Sequence, residues 1–357
     1  MASSAGANFR LTVLNPGGRD PEQSFGGDFS AVASHPPINF HAFAACTGGS
    51  FQRDVRKAIE EKTAVLLLIR GDFKATERAL IELKRQNRTV AVSLKETGLH
   101  QIANRLRDPV KLSRFLRIVN GADGCIATTP EAATIYRQTR REHDPATVDF
   151  IPTPYPVEDR QWNFAVPPDE QSGIFIGTRE WDVPSRNHLA ALLLGHELCH
   201  ATGERVTVFN LDGRKGAKSL SELRFPSRKL HVIERRKSYH DYLGEVAKHK
   251  IVLQLDRSGV PGQVAGDAVL CRTVCVGGDG ATERIAFPNF CSEGRTSNEL
   301  GSIAVELLNN PNARATAIIE SQSRAVERLS FQAVRPQLKA FFARIRAKAA
   351  NASLIRK

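Results

Sequence analysis

Short, almost purely apolar runs alternate with longer amphipathic stretches along this chain, and the alternation begins twice. Residues 64–70 (AVLLLIR) are apolar up to the final Arg. A run like that is buried on both faces only as a central strand of a parallel sheet with helices on each side. In the first half, strands are predicted at 9–15 (FRLTVLN), 64–70, 89–94 (TVAVSL), 124–127 (GCIA) and 148–151. Helices are predicted at 51–62, 73–86, 109–120 and 130–140, the last with Pro130 at a first helical position. A stretch rich in Pro and charge, 156–172, then marks a break, and a new strand opens at 173–177 (GIFIG). Strands at 205–210, 230–233, 251–255 and 273–277 follow, with helices at 187–202, 239–249, 263–270 and 298–309. From 312 onward the chain reads as helical and basic. The fold class is therefore α/β, with two Rossmann-like domains expected to face each other across a cleft. They are placed at 1–165 and 166–320, with basic helices at 321–357 packing back across the junction.

A length of 357 residues suits two domains, each long enough for its own core. No apolar run approaches the roughly 18 residues of a membrane span, and the small, polar first residues lack the pattern of a signal peptide. A cytoplasmic protein is expected. The net charge of +12 favours anionic partners. It sits in scattered clusters rather than a basic tail, and no aromatic motif of a nucleic-acid binder appears, so nucleic acid is not an expected partner. Lys339, Arg344, Arg346 and Lys348 suggest weak, peripheral attachment to anionic lipid at the inner face of a membrane. The six scattered cysteines read as reduced, largely buried thiols.

The chemistry concentrates after the break. Phe175-Ile176-Gly177-Thr178-Arg179 leads to Arg186-Asn187. Further on, Gly259-Val260-Pro261-Gly262-Gln263 runs into a helix carrying Asp267, and Gly277-Gly278 is followed by Glu283. A Gly-rich loop entering a helix offers N–H groups and the positive end of the helix dipole to a phosphate. Arg179 and Arg186 can neutralise a diphosphate bidentately. A carboxylate one turn into the helix, Asp267, can accept from two adjacent ribose hydroxyls. The bland alternatives are surface arginines, an acid favoured by the helix dipole at Asp267, and a solvated turn residue at Glu283.

With the segment Ile151-Pro152-Thr153-Pro154-Tyr155-Pro156 and the helix and strand over 239–255, these phrases resemble the GT-B glycosyltransferases. They are closest to the large group, family 4-like, whose C-terminal domain carries a Glu-x7-Glu motif. The resemblance implies a hexosyltransferase-like enzyme that moves a sugar from a nucleotide-diphospho-sugar to the hydroxyl of a saccharide or lipid-linked acceptor. Surface polysaccharide or glycoconjugate synthesis is the implied setting, with neither cofactor nor metal. Its donor-binding residues would be Arg179, Arg186, Gly259, Gly262, Gln263, Asp267 and Glu283. The chain departs from the family at Gly259, where the first motif Glu is absent, at Asp267 in place of the second, and at Arg186 in place of a Lys. In the first half, Gly17 and Gly18 are candidates for backbone contact with substrate, and His41 and His100 for catalysis. Each has a plain reading as a tight turn or a packed or surface histidine.

Two other classes stay open. His196-Glu197-Leu198-Cys199-His200 is a His-Glu-x-x-His segment, which on a helix puts both imidazoles on one face for zinc with the Glu activating water, as in a metallopeptidase. Val206 stands where one large class of such enzymes supplies its third ligand. The third class is a non-catalytic nucleotide-sugar-binding homologue.

Overall fold

The computed structural model describes residues 9–26, 35–141, 144–177, 181 and 183–355. The chain forms two compact units, one of Met1–Pro154 with Phe331–Lys357, the other of Tyr155–Ser330.

In the first unit, strands β1 (Leu11–Leu14), β2 (Gln23–Ser24), β3 (Ser50–Gln52), β4 (Ala64–Ile69), β5 (Val90–Leu94), β6 (Gly124–Ala127) and β7 (Val148–Phe150) form one sheet in the order β2-β3-β1-β4-β5-β6-β7. All its pairs are parallel except β2 with β3. The period of two along β4 divides the core. Val65, Leu67 and Ile69 join one cluster with Val92, Phe115 and Tyr136, while Leu66 and Leu68 join another with Val13, Phe43 and Phe341. The helix expected over 51–62 does not open at residues 50–52. Instead they pair with β1 and bury Phe51, and the helix starts only at Val55, where the Asp54 side chain accepts the Arg56 N–H at 2.8 Å.

The second unit holds β8 (Ile174–Ile176), β9 (Val206–Phe209), β10 (Leu230–Ile233), β11 (Ile251–Leu253) and β12 (Val274–Val276) in a parallel sheet ordered β10-β9-β8-β11-β12. The order reverses between β8 and β11, which makes their C-terminal edge the topological switch point where open α/β sheets take ligands.

The division of the chain differs from the expected boundaries. Residues 156–172 belong to the second unit because Trp162 packs on Tyr239, with ring centroids 6.0 Å apart, and the Phe164 N–H bonds to the Leu270 carbonyl at 3.0 Å. The helix Pro311–Leu329 also belongs there, whereas Phe331–Ile355 returns to the first unit and buries Val334, Leu338, Phe341 and Ile345 against its core. Two of the basic residues assigned to lipid are engaged within that unit: Arg344 pairs with Asp149 at 2.6 Å and Lys348 with Asp144 at 2.6 Å. Among the described residues no helix is long and apolar enough to cross a membrane. All six cysteines are buried and unbridged.

Candidate functional site

The loops after β8, β11 and β12 lock together at the C-terminal edge of the second sheet. Asn187, with φ of 49°, ends the turn before the helix His188–Thr202, and its side-chain amide donates to the Leu255 carbonyl at 2.9 Å. The Arg257 N–H reaches Ser185 O at 2.8 Å, and the Ser185 and Ser258 hydroxyls lie 2.9 Å apart. Arg186 forms an ion pair with Asp256, whose carboxylate also accepts the Ser258 N–H at 2.8 Å. The Gly259 N–H donates to Asp279 at 3.0 Å, and the Asp279 N–H to Asp256 O at 3.1 Å.

From this knot the chain enters the helix Gln263–Leu270. Gly262 is its N-cap, with φ of 90° and no side-chain cap. Only glycine suits this position: its conformation is left-handed, and an added Cβ would fall 2.0 Å from Glu283 Oε2. Glu283 is 1% exposed. Gln254 Nε2 donates to its Oε1 at 2.7 Å, while Oε2 has no hydrogen-bond partner. Burial, reinforced by the negative charges of Asp256 and Asp279, pushes this carboxyl up to about 8 against the hydrogen bonds that lower it, so it is largely protonated at neutral pH.

Asp267 sits one turn into the helix but faces inward. It is buried, and the Tyr239 hydroxyl donates to its Oδ1 at 2.5 Å. Gly266 beside it leaves room for the Tyr155 ring, which a Cβ there would meet at 1.9 Å. Burial, with Asp267 nearby, keeps both tyrosines protonated well above their ordinary range. Here Asp267 is buried and holds the Tyr239 hydroxyl, in contrast to the open carboxylate expected to meet ribose. At Gly259, expected to lie on the donor loop, the N–H is bonded to Asp279. Arg186 keeps its place at the loop with its charge shared with Asp256. Gln263 opens the helix as expected. Arg179 lies outside the described residues. Sequence reasoning missed His188, the first residue of the helix after the β8 loop. It is 3% exposed, has no hydrogen-bond partner at either ring nitrogen, and lies against Trp181 with centroids 4.4 Å apart. Burial depresses it to about 4, so it is neutral.

In the first unit, Gly17 and Gly18 form the turn after β1, closed by the bond from the Gly18 N–H to Asn15 O at 3.0 Å. His41 is buried, its ring stacked between His35 at 3.9 Å and Phe51 at 3.7 Å, with Nε2 2.9 Å from the Pro21 carbonyl. Burial lowers it to about 4. It holds the loop after β1 and presents no open base. His100 is exposed and bonded to Asn104 at 2.8 Å one helical turn on, a surface pair. The sequence reading missed Asp20, which gathers Lys95, Arg70 at 3.4 Å and the Asn15 amide at 2.6 Å where β1, β4 and β5 end. Burial raises its carboxyl, but the Lys95 hydrogen bond and the charges of Lys95 and Arg70 outweigh that and hold it below the usual range.

His196 and His200 do share a helix face, with centroids 4.6 Å apart. Among the described residues no third His, Cys, Asp or Glu joins them in a group able to hold a metal, so the ligand set a catalytic zinc needs is not assembled.

No protein-family model matches the sequence, and no curated protein sequence matches it. Solved structures do match its fold over nearly its whole length. The α,α-trehalose 6-phosphate synthase of Burkholderia multivorans superposes with a TM-score of 0.67 at 12% identity, covering 98% of this chain and 99% of that one. Anabaena HepE in complex with UDP gives 0.64 at 12% identity, covering 94% and 100%. The E. coli trehalose-6-phosphate structure bound with UDP-2-fluoro glucose gives 0.58 at 12% identity, covering 82% and 77%. These are GT-B glycosyltransferases, and the two parallel-sheet, Rossmann-like bodies described above are their fold.

Proposed function

We propose that this chain is a glycosyltransferase that moves a sugar from a nucleotide-diphospho-sugar to an acceptor hydroxyl. The observation that carries the reading is the meeting of three strand-end loops at the switch point of the second sheet, ahead of a helix whose N-terminus has no side-chain cap. Support comes from the shared fold, which in HepE is solved with UDP. The acceptor oxygen attacks the anomeric carbon as the nucleoside diphosphate departs. The developing negative charge on the diphosphate is met by the first-turn N–H groups of Gln263–Leu270 and the helix dipole, with Arg179 and Arg186 as cationic partners. This reading requires no metal at the leaving group. For the first unit, the Asp20–Lys95–Arg70 cluster at the strand ends is the proposed place for a saccharide or lipid-linked acceptor, and surface polysaccharide or glycoconjugate synthesis the proposed setting.

A panel of UDP-, GDP-, ADP- and dTDP-sugars with mono- and oligosaccharide acceptors, read by release of nucleoside diphosphate, tests the activity. Acceptor-dependent release from at least one donor is expected. No release from any donor by protein that binds the nucleotide would leave a binding homologue, and absence of both would end the reading.

A further inference from the structure

The helix His188–Thr202 carries no Asp, Glu, Lys or Arg before Glu197. A helix so apolar is ordinarily covered on every side. Yet Leu189 and Leu193, one turn apart, are 57% and 46% exposed. His196 and His200 continue the same stripe at helical spacing.

The surroundings of this stripe are basic. Right-handed crossovers from β8 to β9 and from β9 to β10 step outward in one direction, so this helix and Arg214–Glu222 cover the same face of the second sheet. Between residues 214 and 237 the chain carries nine Lys or Arg against two Glu, a surplus of seven within a net charge of +12. Phe225 meets the His196 ring edge-on with centroids 5.1 Å apart, and Lys229 donates to the Gly203 carbonyl. These contacts lay the loop from 223 to 229 along the stripe. Arg224 and Arg228 stand exposed on that loop and form no ion pair among the described residues. Arg214 and Lys215 open their helix at the positive end of its dipole, where cations are disfavoured and an external anion offsets the cost.

Bare leucines beside a large positive surplus select the occupant. A second copy would bring an equal positive face against this one. A protein partner is held by buried aromatic anchors in a patch poor in Lys. An anionic bilayer satisfies both features: leucines enter the boundary between headgroups and acyl chains, and Lys and Arg meet the lipid phosphates above it. We infer that this face of the second unit, with Leu189 and Leu193 as apolar anchors and Arg224 and Arg228 as headgroup contacts, docks on an anionic bilayer surface. The contact expected of the last helix is thereby moved, since Arg344 and Lys348 there are held by Asp149 and Asp144.

Flotation of the full chain with phosphatidylcholine vesicles, with and without phosphatidylglycerol, tests the inference at low and high salt. Binding should require the anionic lipid and fade as salt rises. Arg224→Gln with Arg228→Gln should weaken it at least about tenfold, and Leu189→Ser with Leu193→Ser at least about fivefold. Lys339→Gln with Arg346→Gln should change it less than about twofold. Hydrogen exchange of the wild type on the same vesicles provides a readout independent of any substitution, with protection expected in peptides covering 188–200 and 214–237. No binding to anionic vesicles at low salt, or protection confined to 331–355, overturns the inference. Binding that needs the arginines and ignores the leucines also overturns it, because the face would then be a site for soluble polyanions.

Discussion

Replacing Glu283 by glutamine removes one ionisation and leaves the shape of the side chain. Glutamine Oε1 can still accept from Gln254, and its amide N–H replaces the acid O–H beside Gly262. The folded carboxyl titrates at about 8 against an ordinary value of 4.5. Below the lower value both folded and unfolded chains hold the proton, and no stability is lost. Between the two values the unfolded chain releases it while the folded chain keeps it, so stability falls by about 1.4 kcal/mol per pH unit. The full loss approaches about 5 kcal/mol once the folded group also ionises above about 8, where the slope ends. His41 and His188, both depressed to about 4, act in the opposite sense: their stabilisation is lost as pH falls from 6.5. The informative quantity is therefore the difference between wild type and Glu283→Gln. Urea unfolding at about pH 5.5 and about pH 8.5 should show the variant gaining about 3 kcal/mol relative to wild type across that interval. A difference that stays constant with pH would refute the claim that Glu283 is a buried neutral acid.

Three further outcomes follow from the packing and the clusters. Phe341→Ala, at a fully buried position of the last helix, should cost about 3–5 kcal/mol in urea unfolding, and a loss under about 1 kcal/mol would contradict the place of that helix in the first core. His196→Ala should leave acceptor-dependent turnover unchanged in a nucleotide-release assay, and abolished turnover would revive the His-Glu-x-x-His reading. Lys95→Met should move the Asp20 carboxyl upward in a carbon-detected NMR titration, because it deletes the partner that holds it down. An unmoved titration would mean that the cluster is not coupled.

The parts legible in the sequence were those with a local signature. The runs that became β4, β5, β9 and β12 are short, apolar and rich in Val, Leu and Ile, and a central parallel strand requires little else. β3 was not legible, because Ser50–Gln52 is a strand only through its pairing with β1 almost forty residues earlier. The same divide runs through the site. The Gly-rich loop and the helix it opens could be read from glycine spacing alone. The partner of Arg186 lies seventy residues away in Asp256, and Tyr239 is twenty-eight residues from Asp267. No spacing rule announces such pairs, which the closing of the sheet creates. Asp267 shows the same divide: position along a helix sets its face, but the Tyr239 hydroxyl that it accepts comes from another segment.

Hydrogen exchange of the full chain, followed by mass spectrometry with and without millimolar UDP, GDP or ADP, tests the central claim most directly. The account predicts that one of these nucleotides slows exchange in peptides covering 254–270 and 181–190, and leaves 196–202 unchanged. Protection confined to peptides of the first unit, or none with any nucleotide, would contradict a nucleoside diphosphate site on the second sheet.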